Sequence, residues 1–96
     1  MKVEPKIVLE LPISDEALLP AFVEKCLARN VSLIAVLGDG CERVEDEIDW
    51  LIVGDGSDKS RFITTSSHPG ETLDQVVEFA TMWWVNADGP TEVVRL

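Results

Sequence analysis

The run Ser32-Leu33-Ile34-Ala35-Val36-Leu37 constrains this chain more than any other segment, because Leu33 to Leu37 is apolar without a break. A strand with no polar face has to be covered on both sides, the pattern of a parallel sheet sandwiched between helices. The flanking sequence supplies both the helices and the further strands.

Ile7-Val8-Leu9-Glu10-Leu11 reads as a first strand, ended by Pro12, which cannot donate to a continuing ladder. Ser14 to Asn30 follows as a helix, with Phe22, Val23, Cys26 and Leu27 at helical spacing and Asn30 as its stop. Pro20 interrupts it, so either Ser14 to Leu18 is a short turn or the regular helix begins near Leu19 or Pro20. After the apolar strand, Gly38-Asp39-Gly40 turns the chain, and from Cys41 the period changes. Cys41, Val44, Ile48, Leu51 and Ile52 then share one helical face, with Glu42, Glu45, Asp46 and Asp49 on the other. Gly54 to Ser60 is a loop, Arg61-Phe62-Ile63-Thr64-Thr65 a third strand, and Ser66-Ser67-His68-Pro69-Gly70 its exit. Thr72-Leu73-Asp74-Gln75 fits a capping box, opening a helix with Leu73, Val76, Val77, Ala80, Trp83 and Trp84 at three-and-four spacing. Asn86 to Pro90 ends that helix, and Glu92-Val93-Val94-Arg95-Leu96 makes a last strand.

The order is therefore βαβαβαβ, which specifies an α/β fold over one domain, residues 1–96. The expected architecture is a small three-layer, mostly parallel four-stranded sheet of the Rossmann or flavodoxin-like kind. The expected strand order is 2-1-3-4, and the pattern leaves the direction of the last strand open.

Composition narrows the functions. Of 96 residues, 18 are Asp or Glu and 8 are Lys or Arg, a formal charge of -10, with 46% hydrophobic residues. That fraction is enough for one core, and the charge excludes non-specific binding to nucleic acid or to an anionic membrane. Met1-Lys2-Val3-Glu4-Pro5-Lys6 lacks the apolar stretch of about 7 to 15 residues that a secretory signal needs, and Leu33 to Leu37 is too short to span a bilayer. A cytoplasmic protein is expected, with Cys26 and Cys41 as reduced thiols.

In open parallel sheets ligands collect beyond the carboxyl ends of the strands. Three loops fall there: Pro12-Ile13-Ser14, Gly38 to Glu42, and Thr65 to His68 with Glu71 just beyond. Cys41, in the first turn of a helix, is the candidate nucleophile, His68 its base, and Glu71 the group that orients the imidazole. Against that, Cys41 shares an apolar face with Val44 and Ile48, the place of a small core residue, and Asp39 and Glu42 oppose thiolate formation. Asp39, Cys41 and His68, with Glu71, also include metal donors, in no recognised ligand spacing. Other signatures are missing. Gly38-Asp39-Gly40 does not extend to a dinucleotide loop, no phosphate-binding loop or Cys-x-x-Cys occurs, and Glu47 stands where a Cys-x5-Arg phosphatase needs arginine. Nothing in the sequence calls for a cofactor.

The acids crowd between Glu42 and Asp49. Glu42, Glu45, Asp46 and Asp49, with Trp50 at the border of the apolar face, form a candidate surface for a basic protein partner. The competing reading is a solvated face, with the tryptophan covering a sheet edge. A half-exposed tryptophan also suits a homodimer seam.

The run Gly38-Asp39-Gly40-Cys41-Glu42, then Asp46 and Asp49, then Thr64-Thr65-Ser66-Ser67-His68-Pro69-Gly70-Glu71-Thr72-Leu73, resembles a family of small bacterial domains of unknown function. In that family a Cys-Glu pair followed by acids recurs, as does a Thr-Thr-x-x-His or Thr-Thr-x-His element followed by Glu and Leu. The resemblance covers about residues 30 to 80 and implies a bacterial source and no assigned activity. In size and acidity the chain is also similar to barstar-like inhibitors, by analogy alone. The reading is an acidic interaction or ligand-binding module rather than an enzyme, with a small thiol- or metal-dependent catalyst using Cys41, His68 and Glu71 as the alternative.

Overall fold

Strand β2 (Leu33–Leu37) is buried at every position, as its sequence requires. It reaches that state by lying inside the sheet: β1 (Lys6–Glu10) pairs with it on one side and β3 (Thr64–His68) on the other, both in parallel. β4 (Thr91–Val94) adds to β1, also in parallel, so the order is β3-β2-β1-β4. These relations come from a computed structural model that describes residues 4–83 and 89–96.

The α/β class and the parallel sheet match the sequence reading, and the order does not. An order of 2-1-3-4 would set β2 on an edge, with one flank of its apolar side chains and backbone groups facing water. Pairing β3 with β2 instead puts the apolar strand inside and the polar strand, Thr64-Thr65-Ser66-Ser67-His68, outside.

Among the described residues three α-helices cover the sheet. α1 (Leu19–Ala28) and α2 (Cys41–Val53) lie on one face, where Leu19, Phe22, Val23 and Cys26 meet Val44, Ile48 and Ile52 over Ile7, Leu9, Ile34 and Val36. α3 (Leu73–Thr81) lies on the other face, where Val76 and Ala80 pack on Val8, Leu33, Ala35 and Leu37. Alternate residues of each strand therefore feed two separate cores.

Local chemistry sets the boundaries. Glu16–Leu18 forms a 3₁₀ turn whose Ala17 N–H donates to the Asp15 side chain, and α1 then starts with Pro20 in its first turn, where a missing N–H costs nothing. Asn30 follows α1 with φ of +57°, the left-handed stop its side chain tolerates. Thr72 and Gln75 close the expected capping box on α3. The larger shifts are in β3 and α3. The third strand starts at Thr64 rather than Arg61, because Arg61 is drawn to the end of α2 and Ile63 enters the core. Helix α3 ends at Thr81, so Trp83 lies just past it; Trp84 and the first three residues of the stop read at Asn86 to Pro90 fall outside the described residues. No helix among the described residues is long and apolar enough to cross a membrane.

Candidate functional site

The order β3-β2-β1-β4 places the topological switch between β1 and β4. That crevice is closed: the Ser14 N–H donates to the Leu96 carbonyl across it at 3.0 Å. The open ground lies beyond β2 and β3, where Gly38 to Glu42 and Pro69 to Glu71 line a hollow of about 450 Å³. Gly38 permits the narrow approach behind it. Its φ is +111°, and a Cβ there would stand 2.9 Å from that of Leu11, leaving room only for glycine.

Asp39, Glu42 and Glu71 reach this hollow as read from the sequence. Their three carboxylates oppose an anionic ligand although the start of α2 lies there. Cys41 also borders the hollow, but it is 2% exposed and packs in the core with Val44 and Ile48. Both cysteines are free and buried. Burial pushes the Cys26 thiol up to about 11.

His68 belongs to a different surface. The strand extends to His68, so the side chains of Thr64, Ser66 and His68 share the α3 side, while Thr65 faces α2. Burial leaves His68 6% exposed, with its ring 4.6 Å from that of Phe79. Its Nδ1 lies 2.9 Å from Glu71 Oε2, the orienting contact expected of Glu71. Its Nε2 lies 2.8 Å from Ser66 Oγ, not beside a thiol. Cys41 thus packs in the α1–α2 core, while His68 packs against α3. Both ring nitrogens are already engaged, and among the described residues no three His, Cys, Asp or Glu side chains converge as a metal site. Ser66 is hidden in the sequence because the strand pattern, Arg61 to Thr65, stops short of it. Carrying the two-residue alternation three positions further would have paired it with His68.

The structure divides the acidic stripe of α2. Glu45 and Asp49 turn toward the sheet, where the Thr65 hydroxyl lies 3.0 Å from Glu45 Oε2 and 2.5 Å from Asp49 Oδ1. Arg43 pairs with Glu16 at 2.7 Å and faces Glu47 at 3.8 Å. Glu42, Asp46 and Trp50, each four residues from the next, stay on the outer ridge, with Trp50 70% exposed.

An all-parallel sheet wound with helices on both faces, with Asp39, Glu42 and Glu71 beyond the carboxyl ends of β2 and β3, defines a small doubly wound α/β domain. Residues 6–94 match the family described as a domain of unknown function, DUF7684, and the chain belongs to that family. No curated protein and no solved structure matches it.

Proposed function

We propose that the protein is an interaction module whose α2 ridge docks a basic protein partner. The observation that carries this reading is the division of the acidic stripe. Glu45 and Asp49 are occupied by Thr65, whereas Glu42 and Asp46 face water on either side of a helical turn that leads to the exposed Trp50. Val53, 49% exposed, extends the apolar end of the ridge. A large aromatic beside carboxylates combines an anchor that gains from burial with charges that steer a cation-rich partner. A second copy of the chain suits the ridge less well, because two such ridges would meet acid to acid. In this reading the domain works in a bacterial cytoplasm with both thiols reduced.

Affinity capture tests the proposal. Immobilised full-length protein is expected to retain a basic protein from a bacterial lysate at low salt, to release it at high salt, and to lose it in the Glu42→Gln, Asp46→Asn, Trp50→Ala variant. Equal retention by the wild type and the variant, or none at low salt, overturns the reading.

A further inference from the structure

We propose that Ser66, His68 and Glu71 form an acyl-transfer centre that hydrolyses small uncharged carboxylic esters, with Ser66 as the nucleophile. The direction of the hydrogen bonds is the first support. A carboxylate only accepts, so in the neutral imidazole the 2.9 Å contact between His68 Nδ1 and Glu71 Oε2 puts the ring proton on Nδ1. Nε2 then carries a lone pair, and at 2.8 Å the Ser66 hydroxyl has to donate to it. That is the polarisation an activated serine requires, with the acid on the far nitrogen holding the tautomer.

Rigidity and access are the second support. The His68 side chain is 8% exposed and packs 4.6 Å from the Phe79 ring, so its orientation is fixed. Ser66 is only half-buried. Helix α3 lies across β1, β2 and β4, and on its flank a hollow of about 570 Å³ is lined by Gln75, Glu78, Phe79, Met82 and Trp83. Phe79 is common to both features, touching the imidazole and walling the hollow, so the hollow and the imidazole stand on two sides of one ring. Glu71, Glu78 and a net charge of -10 repel anionic esters and leave uncharged ones.

A donor for the oxyanion is the third. β3 is the outermost strand, and the Thr64 N–H donates inward to the Ser32 carbonyl at 3.3 Å. By alternation the Ser66 N–H also turns toward β2, and the Ser67 N–H points out of the open edge, directly after the nucleophile. It can meet the negative oxygen of a tetrahedral intermediate.

The chemistry balances with water as the only co-substrate. Ser66 Oγ bonds to the ester carbonyl carbon as its proton passes to His68 Nε2; the ester C–O bond then breaks and the leaving alkoxide takes that proton. Water attacks the acyl-serine, giving a proton to Nε2 that returns to Ser66 Oγ as the carboxylic acid departs. Glu71 is a positioning residue, since it acts through His68.

The test uses the full chain, diisopropyl fluorophosphate and p-nitrophenyl acetate. Intact-mass and peptide analysis are expected to show one phosphoryl adduct on Ser66 with loss of fluoride. Ser66→Ala abolishes the adduct and the burst of p-nitrophenol while melting like the wild type. Glu71→Gln, at an exposed carboxylate, keeps the fold, slows labelling about tenfold or more and displaces its pH profile. A folded wild-type protein with no adduct, an adduct on another serine, or a Ser66→Ala variant turning over ester at the wild-type rate overturns the proposal.

Discussion

Arg61 Nε donates to the Ile52 carbonyl at 2.8 Å, and its Nη2 reaches the Leu51 carbonyl at 2.9 Å. Helix α2 has no basic residue in its own last turn, so a side chain from the next loop satisfies its free carbonyls and opposes its negative end. The same guanidinium binds Glu24 of α1, which holds that carboxyl below its usual range and raises the Arg61 pKa. Arg61→Ala is therefore expected to lower the thermal midpoint by several degrees. Arg61→Lys should recover less than half of the loss, because one ammonium cannot reach two carbonyls and a carboxylate at once. Melts at pH 7 and pH 3 check the cause. A depressed carboxyl contributes stability above its unfolded pKa and loses it as pH falls through the folded value, so the gap between wild type and variant should shrink at pH 3.

Thr65 holds one hydroxyl proton against two carboxylates, Glu45 and Asp49, which stand one turn apart on α2. Only one of those bonds can use the proton at a time, and the like charges oppose each other. Thr65→Val should cost about 1–3 kcal/mol, since both half-buried carboxylates lose their donor. Asp49→Asn should be neutral or stabilising by a few tenths of a kcal/mol, and the two changes together should not add. Urea unfolding of the four proteins in the cycle measures the coupling; strict additivity would show that the hydroxyl does not bind these acids in solution.

How far the sequence could be read depends on what kind of signal each element carries. The apolar run of β2 and the three amphipathic helices were legible because burial writes its period directly into side chains. Even the interior place of β2 was available: a strand with no polar face cannot sit at an edge, and an order of 2-1-3-4 put it there. β3 was misplaced by three residues because Thr64-Thr65-Ser66-Ser67-His68 is held by backbone pairing to β2 and has little apolar pattern to show it. The candidate site shifted with it. His68 and Glu71 were legible as candidate site residues, while Ser66 became visible only when the alternation of the strand set it beside the imidazole. The division of the acidic stripe was hidden for a similar reason, because it depends on where the Thr65 hydroxyl stands across the sheet.

Lys6 shows another feature that pattern could not reveal. It opens β1, is 1% exposed, and its Nζ donates to the Thr81 carbonyl at the end of α3 at 3.3 Å. A helix without its own terminal cation thus takes one from the first strand, and the lysine stem fills space beneath α3. Lys6→Ala is expected to destabilise by about 2–4 kcal/mol through the emptied volume. Lys6→Met restores the stem and should recover most of that, leaving about 1 kcal/mol for the unmet carbonyl. Chemical denaturation of both variants separates the two contributions, and equal losses would assign the whole effect to the ammonium group.

Cys26 ties stability to alkaline pH. Its thiol, 2% exposed and packed among Leu19, Phe22 and Val23, is raised from 9.0 to about 11, chiefly because burial disfavours the thiolate. The folded chain therefore keeps a proton that the unfolded chain releases near pH 9, so the contribution is complete below pH 9 and is lost as pH rises toward 11. Between those values the wild type should lose on the order of 2 kcal/mol that a Cys26→Ala variant does not. The chain contains no tyrosine, which removes one competing alkaline titration from the comparison. Unfolding free energies of the two proteins across pH 8 to 11 give the difference directly, and parallel curves would mean that Cys26 ionises equally in both states. At neutral pH the same burial predicts that Ellman's reagent labels neither Cys26 nor Cys41 until urea opens the core.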